Sequence, residues 1–299
     1  MIHGIINVYK EKGFTSHDVV AKLRGIVGQK KIGHTGTLDP DATGVLPVCL
    51  GKATKLCDLL TDKNKTYEAV LLLGKTTDTQ DITGEVLEEK STEALTEEKV
   101  REAIEGFIGD YEQIPPMYSA LKVNGKKLYE LAREGKVIER KARPVKILDI
   151  QILEIDLPKV RMEVSCSKGT YIRTLCHDIG EKLGCGGCME SLIRTRVSTF
   201  RIEDAKTLDD IQTLKQEGKL AELLVPIDAM FPSYPKITVK DDWKAFAKNG
   251  NPLDLKMLKE ACGQDEETQV RLYDESGKFM AIYQWKEKKY HIVKMFFNE

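Results

Sequence analysis

The chain has 299 residues, which at roughly 150 per domain points to about two domains. A hydrophobic content of 41% supplies enough apolar side chain for a sizeable core and excludes a disordered chain. With 46 Lys+Arg against 47 Asp+Glu the net charge is -1, which excludes an indiscriminate cationic coat.

In chain order, residues 5–8 open as a short strand. Thr15 and Ser16 offer N-caps to a helix in which Val19, Val20, Leu23, Ile26 and Val27 recur at helical spacing. Residues 33–44 are dense in Gly, Thr, Asp and Pro and read as a long structured loop. Residues 45–50 read as a buried strand that Pro47 places at an edge or a bulge. A helix is expected over 53–60 and a strand over 67–73, ended by Gly74. Thr96 caps a second clear helix, with Glu97 and Glu98 in its first turn and Val100, Ile104 and Phe107 on one face. Pro115-Pro116 and Asn124-Gly125 mark loop and turn, and 128–134 form a short helix stopped by Gly135. Strands over 145–155 and 160–166 are expected as antiparallel neighbours, followed by a helix over 171–183 and a strand over 190–197. A Pro-rich connector, 225–235, precedes a smaller segment with strand-like runs at 270–273, 279–285 and 290–295. Helices interleave irregularly with hairpin-like strand pairs. This pattern predicts an α+β fold on a central mixed, largely antiparallel sheet.

Charge is segregated along the chain. Residues 78–110 hold 11 acidic and 3 basic side chains, and residues 122–146 hold 9 basic and 3 acidic. One basic face on an otherwise acidic body can steer a polyanion. No apolar run approaches the ~20 residues of a membrane-spanning helix. No basic stretch followed by an apolar run opens the sequence, so the expected compartment is the cytoplasm and the seven Cys are expected as free thiols.

Several motifs fail on spacing. Gly44 to Gly51-Lys52-Ala53 separates its glycines by six residues where a phosphate loop needs four, and Ala53 replaces the Ser/Thr. Gly184-Cys185-Gly186-Gly187 lacks the third Gly of a dinucleotide fingerprint. An EF-hand beginning at Asp39 would end on Leu50, which cannot ligate calcium. Cys185-x-x-Cys188 has no second ligand pair for zinc and reads as two small residues in a Gly-rich turn. What remains is the loop around Asp39, where glycines permit close backbone approach and Pro40 biases Asp39 away from helical geometry. Such a loop is either an elaborate turn or an active-site loop.

Here the sequence is specific. Gly33-His34-Thr35-Gly36-Thr37-Leu38-Asp39-Pro40-x-Ala42-Thr43-Gly44-Val45-Leu46-Pro47 resembles the signature loop of the TruB-type tRNA pseudouridine synthases. Lys65-Thr66-Tyr67, then Lys168-Gly169-Thr170-Tyr171-Ile172-Arg173-Thr174-Leu175, then Leu192-Ile193-Arg194-Thr195-Arg196-Val197 resemble the family's next three motifs, in order. Glu11 stands where the family usually has Pro. The resemblance implies a pseudouridine synthase fold over residues 1–230 and a small β-rich, PUA-like RNA-binding module over 235–299. It implies isomerisation of a uridine, conventional position 55, in the T loop of tRNA.

The resemblance also implies roles. Asp39 would be the nucleophile, attacking the base at C6 or the sugar at C1′, or supporting a glycal route; the residues leave all three open. Arg173 would keep that carboxylate ionised and oriented. Tyr67 would stack on the flipped uracil and shuttle a proton through its phenol. Tyr171 would line the pocket or hydrogen-bond the nucleotide, Leu192 would form an apolar wall that excludes water, and His34 would fill the gap left by the extruded base. Lys122, Lys126, Lys127, Arg140, Lys141 and Arg143 would contact tRNA phosphates, with Tyr118 and Tyr129 stacking on bases or packing. The reaction is redox-neutral and retains the leaving uracil, so neither metal nor organic cofactor is expected. The partner is the tRNA T stem-loop, met by a monomer without membrane or protein partner. Two rival readings are an RNA-binding protein that has lost the chemistry and a guide-RNA-dependent synthase acting on ribosomal RNA. The co-occurrence of Asp39, Tyr67 and Arg173 argues against the first, and the lack of long basic tails against the second.

Overall fold

The structure, a computed structural model, describes residues 1–123 and 125–297; the turn expected at Asn124-Gly125 therefore rests in part on a residue outside that range. Strand β1 (Gly4–Lys10) leads into helix α1 (Ser16–Val27), β2 (Ile32–His34) and β3 (Thr43–Leu50). Then come α2 (Cys57–Thr61), β4 (Lys65–Leu73), a hairpin of β5 (Lys75–Thr77) and β6 (Val86–Glu89), and α3 (Glu97–Glu105). Strand β7 (Gly109–Gln113) precedes the basic segment, which holds β8 (Lys122–Val123), β9 (Lys126–Lys127) and α4 (Leu128–Arg133). The first part closes with β10 (Arg143–Asp156), β11 (Lys159–Cys166), α5 (Ile172–Lys182), β12 (Gly187–Val197), β13 (Phe200–Arg201) and α6 (Leu208–Gln216).

The main sheet runs β1-β3-β12-β4-β11-β10-β7, with β2 on β3 and β13 on β12. Among the described residues β12 against β3 is its parallel pairing, through Ile193 with Thr43 and Arg194 with Gly44, and the others are antiparallel. The α+β reading of the sequence holds. Alternation explains the layers: in β4, Tyr67, Ala69, Leu71 and Leu73 point inward and meet Val160, Met162 and Val164 of β11 beneath α3 and α5. In β1, Ile6 and Val8 face α1 and α6, while Ile5 turns to the opposite side.

Helix α1 starts where the sequence places it. Thr15 Oγ1 accepts from the Asp18 N–H at 3.1 Å, Asp18 Oδ2 accepts from the Thr15 N–H at 2.9 Å, and Gly28 stops the helix at φ 74°. Helix α5 lies hard against β12, because Gly180 has no side chain: a Cβ there would meet Gly187 N at 2.1 Å. Two expectations need correction. Strand β3 is interior and neither an edge nor bulged at Pro47, since it lies between β1 and β12 and pairs with β1 without a register shift. The carbonyl of Pro47 accepts from Thr35 N at 3.2 Å. Backbone N and O of one strand residue point to the same side, so the missing N–H faces the loop at Thr35, where β3 is flanked by no long strand. The helix expected over 53–60 divides into a 3₁₀ segment (Gly51–Leu56) and α2.

A second sheet follows the Pro-rich connector. It comprises β14 (Lys236–Val239), β15 (Leu258–Glu260), β16 (Gln269–Tyr273), β17 (Phe279–Lys286) and β18 (Lys289–Met295), in the order β15-β14-β16-β17-β18, with α7 (Asp241–Lys248) beside it. It has its own core, yet Ile282 and Phe296 pack with Ile5, Val45 and Leu56 of the first part. Lys55 Nζ donates to the Met295 carbonyl at 2.6 Å, and Tyr273 donates to Asp228 Oδ2 at 2.7 Å.

Candidate active site

The loop between β2 and β3 is pinned along its length. Thr35 donates twice to the Pro47 carbonyl. Ser16 Oγ, in the first turn of α1, accepts from Leu38 N at 2.9 Å. Gly13 N and Lys10 Nζ both donate to the Pro40 carbonyl, at 2.9 and 3.0 Å, and Lys10 also reaches the carbonyls of Glu11 and Phe14. Burial pushes the Lys10 ammonium down to about 8, opposed by Asp39 and Asp41. From the other side the buried Arg194 of β12 donates through Nε to Val45 O at 2.7 Å and through Nη2 to Gly36 O at 3.3 Å. Contacts from four separate segments hold Asp39 without using its carboxylate.

That carboxylate meets Arg173. Arg173 Nη2 donates to Asp39 Oδ1 at 3.1 Å and to the Tyr118 carbonyl at 2.8 Å, and Nη1 lies 3.5 Å from Asp81 Oδ2. Arg173 is in the first turn of α5, and its side chain is 7% exposed, whereas that of Asp39 keeps 39% of its surface open. A fixed, buried cation thus presents a carboxylate that a ligand can still reach. Burial raises the Asp39 pKa above the ordinary 3.8, Arg173 pulls it down, and Asp81 adds to the rise.

An apolar wall adjoins the pair. Tyr67, Leu192, Leu38 and Ala42 belong to one buried cluster. Tyr67 of β4 lies opposite Arg194 of β12 in register and hydrogen-bonds it; burial pushes the phenol up to about 12. Tyr171 precedes α5, close enough to Asp39 and Arg173 to feel both charges, and burial raises its phenol. His34 ends β2, its ring edge-on to His17 at 5.2 Å, and its Nδ1 accepts from Gly36 N at 3.3 Å. Burial, His17 and Arg194 lower its pKa, which favours the neutral imidazole.

The basic side chains divide. Lys122, Lys126, Lys141 and Arg143 are exposed, with Lys126 paired to Glu134 at 3.3 Å. Lys127 donates to the Tyr129 hydroxyl at 3.1 Å, and Arg140 donates to the Pro115 carbonyl at 3.2 Å, so these two also hold the segment together. Among the described residues no group of three or more His, Cys, Asp or Glu is placed to hold a metal ion, and Cys185 and Cys188 are buried free thiols.

Comparison with known proteins places the chain in a family. Residues 24–172 match the family model described as TruB family pseudouridylate synthase, N-terminal domain, and residues 173–232 match that of the tRNA pseudouridylate synthase B C-terminal domain. The chain belongs to the TruB family. It is therefore an isomerase that converts uridine in tRNA to pseudouridine. The tRNA pseudouridine synthase B of Lachnoclostridium phytofermentans is 58% identical over 99% of this chain and 100% of its own. That of Bacillus pumilus is 45% identical over 98% and 96%. Among solved structures, a chain of a Cbf5-Nop10-Gar1 complex is similar with a TM-score of 0.73 at 29% identity, covering 98% of this chain and 85% of that one. A chain of an H/ACA RNP bound to a substrate RNA containing 2'-deoxyuridine gives 0.72 at 27% identity, over 99% and 85%.

The structure adds three residues to which sequence reading assigns no role. Asp81 enters the sequence reading only as one more acidic charge, yet it shares Arg173 with Asp39. Arg194 belongs to a recognised motif, and its signal is a cation on the buried side of the strand's alternation, two residues after Leu192. Lys10 carries the same signal at the end of β1.

Proposed function

We propose that the protein isomerises the uridine at position 55 in the T loop of tRNA, by extruding the base and using Asp39 to assist cleavage and re-formation of the glycosidic bond. The contact that carries this reading is Arg173 Nη2 to Asp39 Oδ1 at 3.1 Å, on a carboxylate that stays accessible beside an apolar wall. The uracil would enter between Tyr67 and Leu192, where exclusion of water protects an intermediate from hydrolysis. Tyr171 would border the nucleotide, and neutral His34 would fill the vacated stack. Residues 1–230 act as the catalytic domain and 235–299 as a PUA-like RNA-binding module. The exposed Lys122, Lys126, Lys141 and Arg143 contact phosphates, with Lys127 and Arg140 supporting them. The protein works in the cytoplasm as a monomer without metal, organic cofactor or protein partner.

The test is incubation of an unmodified tRNA transcript with the protein, followed by carbodiimide-blocked primer extension. A single stop at the T-loop uridine is expected; a stop elsewhere, or none, refutes the site assignment. Two further outcomes follow from the geometry. Asp39 must be ionised to react, and its pKa is raised. The single-turnover rate should therefore fall with acidification through a midpoint above 3.8, and a midpoint at or below that value counts against Asp39 as nucleophile. Tyr67→Phe keeps the ring and removes the phenol, so turnover should drop by roughly 10²-fold if the hydroxyl carries a proton. Unchanged turnover would leave Tyr67 a packing role only.

A further inference from the structure

Gln113 is the last residue of β7, upstream of the basic segment, and is 2% exposed. Its side-chain amide grips one backbone unit 58 positions away: Oε1 accepts from Tyr171 N at 2.8 Å, and Nε2 donates to Tyr171 O at 2.9 Å. Tyr171 is the N-cap of α5 and provides no side-chain cap of its own. The next residue but one is Arg173. The same stretch reaches α5 twice more, through Tyr111 to Asp178 and through the Tyr118 carbonyl to Arg173 Nη2. An amide that satisfies a buried donor and a buried acceptor together is a directional clamp, since any rotation loses both bonds.

We propose that Gln113 is a positioning residue for the isomerisation: its amide fixes the entry to α5 and thereby aims Arg173 at Asp39, coupling the end of β7 to the reactive carboxylate. The proposal rests on the reading of Arg173 as the partner of Asp39. Gln113 touches neither Asp39 nor Arg173, and its effect passes through the Tyr171 backbone. Misplacing a catalytic partner by about an ångström can cost on the order of 10²-fold in rate.

The experiment measures single-turnover rate and tRNA affinity for the wild type, Gln113→Met, Gln113→Glu, Arg173→Lys and the Gln113→Met/Arg173→Lys double variant, with melting temperatures for each. Gln113→Met should lower the rate roughly 10–100-fold while tRNA affinity changes less than about threefold. In the double variant the losses should not multiply, because the clamp has nothing left to aim. Gln113→Glu can accept from Tyr171 N but cannot donate to its carbonyl until protonated, so its rate relative to wild type should rise as pH falls. That recovery with acid is the control against a variant that has merely lost stability. Wild-type rates for Gln113→Met and Gln113→Glu, or losses that multiply with Arg173→Lys, overturn the clamp while leaving the ion pair intact. Wild-type turnover by Arg173→Lys instead overturns the reading of Arg173 on which the clamp depends.

Discussion

Asp39→Asn should yield no detectable pseudouridine while tRNA still binds. The amide is nearly isosteric with the carboxylate and can still accept from Arg173 Nη2, so the loop has no reason to move. Its other fastenings, through Lys10, Gly13, Ser16 and Arg194, do not use the carboxylate. Arg173 would not be stranded, because Asp81 remains 3.5 Å from Nη1. What disappears is the anion. Losing the reactive carboxylate costs on the order of 10⁴–10⁶-fold in turnover, far beyond what a positional shift produces. The measurement is primer-extension mapping and a filter-binding affinity on the same transcript. Lost binding with residual turnover would show that Asp39 holds RNA and does not react.

The second large effect is expected at a residue that touches no substrate. Gly44→Ala would place a Cβ 2.2 Å from the Arg194 carbonyl and 2.9 Å from its nitrogen, at a backbone φ of +105°. Both obstacles are backbone atoms of the neighbouring strand, so no side-chain rotation relieves them. β3 and β12 would have to separate at their parallel contact, and the Arg194 bonds to Val45 O and Gly36 O would stretch with it. Overpacking and left-handed strain together cost about 2–5 kcal/mol. For a chain of this size that lowers the melting temperature by roughly 3–8 °C. Turnover should fall by about 10²-fold or more, because the Asp39 loop hangs from the same hydrogen bonds. A variant that melts and turns over like the wild type would disprove the close approach.

The two effects separate chemistry from scaffold. Asp39→Asn should spare stability and remove the reaction. Gly44→Ala should lower both, since one arginine fastens the loop and braces the phenol of Tyr67.

Much of this was legible in the linear chain, and for local reasons. The N-cap at Thr15, the helical spacing from Val19 to Val27 and the strand ended by Gly74 depend on neighbours within a few residues, where spacing alone carries the information. The loop around Asp39 was legible as a loop from its glycines and Pro40. Composition left it a turn or an active-site loop, and only the resemblance to the TruB-type signature gave it the active-site reading. The tertiary structure alone decided the rest. Pro47 reads as an edge or bulge signal, yet its strand lies unbulged between β1 and β12, and the side on which its N–H is missing faces the loop at Thr35. Asp81 is silent in sequence, since an acidic residue in an acidic stretch acquires meaning only when Arg173, 92 positions later, lies 3.5 Å away. Gln113 and Tyr171 meet only after β7 and α5 have packed on opposite ends of 58 residues of chain. Which side chains can react was written in the order of residues; which of them are held within bonding distance was set by long-range burial, and no periodicity reports that.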